Sequence, residues 1–362
     1  MHSAPLHARR PTALAALPAA VALAFATACA TTASQKKDEV VWPLPPDKPR
    51  VKYVRSLSSE KDLRQGSMDK VWRALVPADP DLVVKEPTGL ALSADEKKLF
   101  VACAPRGRVL EFDLEARRVR AVANPEGYRP AQPFAVALDA AGNLYVTDPV
   151  GAAIWVYGPD GKFLRQMGKP FLERPTGLAI DRKRQVLYAV DGGRQATRNH
   201  KVEVFALGGE HLRTIGTRGP APGEFNFPNH VAVAPDGNVY VSDMLNFRIQ
   251  VFDPQGALVA FFGASGVAAP GVFQKLKGLA FDSFGNLHAV DTDAAIVQMF
   301  NARHQPLMAY GGPANRVEFM AAPTAIAISS RNEIYVADYM AGRVNEYVLF
   351  GTTAEDSFAP AR

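Results

Sequence analysis

Apolar and polar positions alternate along most of the chain in short runs, and turn residues cut the runs every 8–12 positions. The segment 228–263 shows the pattern well. His230–Val233 is a short apolar run, and Pro235-Asp236-Gly237-Asn238 is a tight turn in which Asp-Gly supplies the positive φ a hairpin needs. Val239–Ser242 forms a second run and Arg248–Phe252 alternates as a third. Asp253-Pro254-Gln255-Gly256 turns again, and Ala257–Phe262 is the fourth. Four strands joined by tight turns make one antiparallel sheet. A helical period fails throughout, because Gly, Pro and Asn-Gly interrupt it. Only 60–76 reads as a helix, with Gly66 inside it.

The same unit occurs six times, over 87–113, 133–168, 175–216, 228–263, 276–311 and 323–351. One position tracks the repeat: Cys103, Asp148, Asp191, Asp243, Asp291 and Asp338, with gaps of 45, 43, 52, 48 and 47. A period in the forties with four strands per unit predicts an all-β propeller of six blades. The sixth unit ends after its third strand. Residues 51–57 alternate like an outer strand, so they are expected to supply the missing one and clasp the ring.

Residues 223–263, GEFNFPNHVAVAPDGNVYVSDMLNFRIQVFDPQGALVAFFG, resemble an NHL repeat, and the resemblance extends over about 87–351. It implies a six-bladed β-propeller around a central channel.

The N-terminus reads differently. His7, Arg9 and Arg10 precede an apolar run from Ala13 to Ala28 that contains Pro18 and ends at Cys29. A basic patch, a short apolar run and small residues before a cut are the layout of a secretory signal. Phe25-Ala26-Thr27-Ala28-Cys29 resembles the lipobox of bacterial lipoproteins, although Ala26 stands where that family usually has Leu. The resemblance implies that Cys29 is acylated after cleavage, which anchors the chain without a spanning helix. Ala30 follows the Cys in place of the Asp that retains such proteins at the inner membrane. The expected order is a signal peptide (1–28), an acylated Cys with a Pro-rich tether (29–50), the propeller (51–351) and a tail (352–362). The expected location is the bacterial outer membrane or another periplasm-facing surface, and the chain is expected to be a monomer.

Composition narrows the partners. The chain has 362 residues, 48% hydrophobic and 21% charged, which a disordered chain would not show. Lys and Arg number 41 against 36 Asp and Glu, a net charge of +5. Loss of Arg9 and Arg10 with the signal leaves about +3, too small a field over a large surface to favour nucleic acid. Two cysteines exclude a disulfide framework. Once Cys29 is acylated, Cys103 is the remaining thiol, and it reads as a small buried hydrophobe.

Two sets of residues are expected at one mouth of the channel. Thr88, Thr176, Asn229, His230, Lys277 and Thr324 open the first strands and are candidate ligand contacts. Asp148, Asp191, Asp243, Asp291 and Asp338 end the second strands. One Asp per repeat fits a structural duty, accepting backbone N–H groups of the turn that follows it. Arg108, Arg248 and Arg343 recur five residues on and are expected to bridge blades. Phe171, Phe225, Phe227, Phe273 and Phe319 precede the first strands of later blades and are expected to wedge between sheets.

His230 stands where other blades have Gly or Ala. The peptidyl-hydroxyglycine amidating lyase, similar in fold, holds a metal on channel histidines. Here one blade supplies His at that place, whereas a catalytic zinc needs about three protein ligands. His288 lies on a second strand, His200 in a loop and His211 on an outer strand. No nucleophile elbow, phosphate-binding loop or haem-attachment motif occurs. The sequence therefore supports a binding or scaffold module for an envelope protein or small ligand. The alternative is a metal-assisted lyase or lactone hydrolase in the channel, with a divalent metal as cofactor and His230 as a weak ligand.

Overall fold

The computed structural model describes residues 39–44, 47–64, 77–122, 130–197, 199–267, 269–313 and 318–350. Among them, six antiparallel sheets stand around a common axis. Blades one to five contain, in chain order from inside to outside, the strands of 87–121, 136–167, 175–215, 228–262 and 276–311. The six innermost strands touch one another in sequence, and the sixth touches the first, so the ring is closed.

Blade six has three strands of its own, Pro323–Ile328, Glu333–Asp338 and Arg343–Leu349. Its outer strand is Val51–Leu57, paired antiparallel to the third from Val51↔Leu349 to Leu57↔Val344. Two segments almost 300 positions apart, 51–57 and 343–349, thus share one sheet, as the alternation in 51–57 predicts. The seam goes further than expected. Within the stretch read as tether, Val41–Trp42 adds a fifth strand outside Val51–Leu57. The cause is Trp42, which is buried among Tyr310, Phe319 and Tyr347 and donates its indole N–H to the Gly311 carbonyl at 3.1 Å. The helix expected over 60–76 begins as a single 3-10 turn, Glu60–Leu63, and residues 65–76 lie outside the described residues. Among the described residues no helix is long and apolar enough to cross a membrane.

The core lies between sheets. Side chains of neighbouring blades interdigitate, with Tyr188, Val202 and Phe225 packed against Val231, Val239 and Phe252 at the seam of blades three and four. Phe225 and Phe273 are fully buried wedges of the expected kind, while Phe171 is partly exposed and stacks on His211. Near the axis the backbones come too close for side chains. A Cβ on Gly177 would stand 2.8 Å from both the Asn229 carbonyl and the His230 Cα, and a Cβ on Gly89 would stand 2.5 Å from the Phe134 carbonyl. Glycine in blades one and three therefore faces Ala135 and His230 of blades two and four, because the contact has room for one side chain and not two.

Candidate functional site

The Asp that ends each second strand is held by backbone N–H groups of its own blade's lead-in. Asp191 accepts from Glu173, Arg174 and Gly193 at 2.7–3.0 Å. Asp338 accepts from Ala321 and Ala322 at 2.9 Å, and Asp291 accepts from Gln274 and Lys275 at 2.8 and 2.9 Å. Asp148 accepts from Ala131 and Gln132, and Asp243 from Asn226. All five are buried. The regularity arises because each lead-in turns back across the strand end and would otherwise bury unpaired donors. Burial raises the carboxyl pKa of Asp191 and Asp243, and the hydrogen bonds they accept oppose it. Cys103 takes the position in blade one and is buried.

The arginines do not bridge sheets as expected. They bind the segment leading into their own blade. Arg248 donates from Nε to Asp243 and from Nη2 to the carbonyls of Ala221 and Glu224. Arg343 donates to the Phe319 carbonyl, and Arg108 to the Asp81 carbonyl. The lead-in carbonyls lie within reach because the side chain starts on the third strand, directly beneath them. Two further residues of this type escaped the sequence reading. Gln250 and Gln298, each two residues past the start of its third strand, clasp the lead-ins through Gly223 and Glu224 and through Gly271 and Val272. Glutamine inside an apolar strand was the signal that could have revealed them.

The threonines at the mouth face the frame. Thr324 Oγ1 donates to the Pro87 carbonyl at 2.9 Å, across the seam of blades six and one. Thr88 and Thr176 make longer bonds of the same kind to the Pro133 and Pro228 carbonyls. Blade five has Lys277 at this position, and there Thr292 Oγ1 covers the next Pro323 carbonyl at 2.6 Å. Lys277 is thereby released. Among the described residues its ammonium has no ion-pair or hydrogen-bond partner, and neighbouring Lys275 is engaged with Asp293. Burial, followed by the repulsion of Lys275, holds the Lys277 pKa down to about 8.

His230 stands on the adjoining strand of blade four. Its Nδ1 accepts the Leu279 backbone N–H at 3.2 Å, so in the neutral ring the proton resides on Nε2. The residue is partly buried and borders the channel. Burial lowers its pKa to about 4. The channel beyond it is a cavity of about 500 Å³ walled mainly by small and aliphatic residues such as Ala137, Ala232, Ile180 and Ile328. Its far rim carries Arg182, Lys183 and Arg184 on one turn. Asn229 and His230 thus lie on the innermost strand of blade four and Lys277 on that of neighbouring blade five, while the threonines and aspartates near the strand ends are engaged in the frame.

The other histidines are dispersed. His288 is buried between Asp282 and Tyr310, His200 accepts from the Phe227 N–H, and His211 pairs with buried Glu203. Among the described residues no group of three or more His, Cys, Asp or Glu side chains is placed to hold a metal ion. Cys29 lies outside the described residues.

Residues 78–190 match the model of the SMP-30/gluconolactonase/LRE-like region, and residues 225–252 match the NHL repeat. The chain is 24% identical over 139 residues to the protein brain tumor of Drosophila melanogaster, covering 38% of this chain and 12% of that protein. It is 29% identical over 134 residues to the human E3 ubiquitin-protein ligase NHLRC1, covering 34% of this chain and 31% of that one. The aligned part is therefore less than a third of each relative. A virginiamycin B lyase from Staphylococcus aureus superposes with a TM-score of 0.54 at 15% identity, covering 76% of this chain and 83% of the lyase. At that identity the likeness concerns the fold. The chain is a six-bladed β-propeller with an NHL repeat in its fourth blade.

Proposed function

We infer that this propeller is a binding module, exported and lipid-anchored through Cys29 at the cell envelope, which takes its partner or ligand at the mouth where the first strands begin. One observation carries the reading. Among the described residues, the frame engages the recurrent Asp and Thr side chains at that mouth, whereas the ammonium of Lys277, on the blade next to that of Asn229 and His230, has no hydrogen-bond or ion-pair partner. A half-buried cation without a hydrogen-bond or ion-pair partner among the described residues is suited to meeting an acceptor from outside, such as a carboxylate or a carbonyl edge. Neutral His230 adds an Nε2–H donor.

The anchor is tested by fractionation. Wild-type protein should sediment with membranes and Cys29→Ser should become soluble; equal sedimentation of both forms would sink the anchor. The mouth is tested by exchanging Lys277 for Glu, which should abolish partner capture, while Arg184→Glu on the opposite rim should leave it intact.

A second reading, a lactone hydrolase or lyase, is favoured by the match of residues 78–190 to the gluconolactonase-like region. Such chemistry with a divalent metal needs about three donors. Among the described residues no three such donors are grouped around His230 or elsewhere, so the residues present do not fit the ion. Metal analysis of purified protein separates the readings. Stoichiometric metal that is lost in His230→Ala would favour the enzyme.

A further inference from the structure

Blades four and five are near copies, and their difference defines a pocket. In blade four, Arg248 fills the space between the third strand and the lead-in. Its guanidinium reaches the Asp243 carboxylate at 2.8 Å and the Ala221 and Glu224 carbonyls at 2.7 and 2.8 Å. The guanidinium carbon lies 5.6 Å from the centre of the Phe261 ring. The corresponding residues of blade five follow from register. Asp243 pairs with Arg248 as Asp291 pairs with Ile296, and Gln250 pairs with Phe261 as Gln298 pairs with Ala309. The lead-ins also match, since the Gly223 N–H donates to Gln250 at 2.8 Å as the Gly271 N–H donates to Gln298 at 2.9 Å. Blade five therefore has Ile in place of the arginine and Ala in place of the phenylalanine, and a cavity of about 410 Å³ opens there.

The acceptors remain. Asp291, Ala269 and Val272 all line the cavity. Asp291 accepts backbone N–H groups of Gln274, Lys275 and Ala294, and no side-chain cation pairs with it among the described residues. The Val272 carbonyl accepts Gln298 Nε2 at 2.7 Å, just as the Glu224 carbonyl accepts Gln250 Nε2 while also taking Arg248. A carbonyl has two lone pairs, so the second place at Val272 is open to a donor. Apart from Gln274 and Gln298 the remaining walls of the cavity are apolar, with Ile296, Leu307 and Met308 among them.

We propose that this cavity binds a guanidinium or amidinium group joined to a small aromatic or aliphatic body, occupying in blade five the positions that Arg248 and Phe261 occupy in blade four. The cation lies against Asp291 and the two lead-in carbonyls, and the body replaces the missing ring above Ala309. The planar, multi-donor cation matches acceptors set at several angles, which a point-charge ammonium does less well. The group can arrive on a free small molecule or on an arginine side chain of a peptide.

Calorimetric titration of the full mature chain tests this with phenylguanidine, its neutral isostere phenylurea and a capped arginine tripeptide. Saturable one-to-one binding of phenylguanidine, at least tenfold tighter than phenylurea, supports the site with a free ligand as its source. Binding of the tripeptide alone supports it with a peptide as its source. The double variant I296R/A309F rebuilds blade four and should reduce binding at least tenfold with its melting transition preserved. A309F alone provides the same readout should the double variant unfold. The proposal is overturned if neither guanidinium probe saturates, if phenylurea binds as tightly as phenylguanidine, or if a folded filled variant binds like wild type.

Discussion

His230 Nδ1 accepts the backbone N–H of Leu279 across the seam of blades four and five. The bond fixes the tautomer of a channel-lining imidazole and joins two innermost strands by a side chain. Other blades cannot make it, because Gly89, Gly177 and Gly278 or Ala135 and Ala325 stand at the matching place.

The titration of His230 should shape the acid limb of the stability curve. Its pKa is lowered from 6.5 to about 4 by burial, so the unfolded chain binds a proton that the folded one rejects between those values. The stability that this group contributes is complete above about pH 6.5 and is lost as the pH falls toward 4. With channel water screening the ring, the loss should be on the order of 2 kcal/mol. Urea unfolding at pH 4.5 and 7.5 checks it. His230→Gln should flatten the difference, and an unchanged slope would contradict the assignment.

The seam should be the weakest point of the ring. Val51 and Leu57 are fully buried in the strand that residues 51–57 lend to blade six. The pair V51D/L57D places two carboxylates in an apolar core and should cost several kcal/mol, at about 2–7 kcal/mol for each unsatisfied polar group buried. Thermal unfolding followed by circular dichroism should show a large fall in Tm; an unaltered Tm would refute the clasp.

Trp42 should act as a bolt on that seam. Its ring meets Tyr310, Phe319 and Tyr347, and its N–H meets the Gly311 carbonyl. Trp42→Ala should destabilise by about 3–5 kcal/mol. Trp42→Phe should recover most of the packing but not the hydrogen bond, worth about 1 kcal/mol. Chemical denaturation of the three proteins would show this order.

Close approach at the axis predicts a contrast between two glycines. Gly177→Ala drives a Cβ into backbone of the next blade and should cost about 1–3 kcal/mol. Gly208→Ala meets nothing within 4 Å and should be near neutral. Equal effects of the two substitutions would contradict the packing of the inner ring.

The repeat was legible because its punctuation is chemical. Asp-Gly turns, alternating strands and a recurrent Asp specify four strands per unit and six units, and the alternation in Val51–Leu57 marks the closing strand. Trp42 was hidden because a two-residue strand has no period, and its partners Tyr310 and Tyr347 lie 268 and 305 positions away. Thr88, Thr176 and Thr324 could be placed at the channel mouth from sequence, but the direction of a hydroxyl cannot. The next blade's carbonyl, at a distance set by ring closure, decides it. Lys277 was visible as an odd residue in a threonine column, yet its release depends on Thr292, fifteen positions on. The blade-five cavity emerges only when Ile296 and Ala309 are set in register against Arg248 and Phe261.

The most direct test of the mouth as a binding surface is native mass spectrometry of the protein purified from its own envelope, beside Lys277→Glu purified alike. The account predicts a bound mass on wild type, of a ligand or a partner chain, that is missing from the variant. Equal occupancy of the two forms, or a stoichiometric metal ion in place of any such mass, would contradict it.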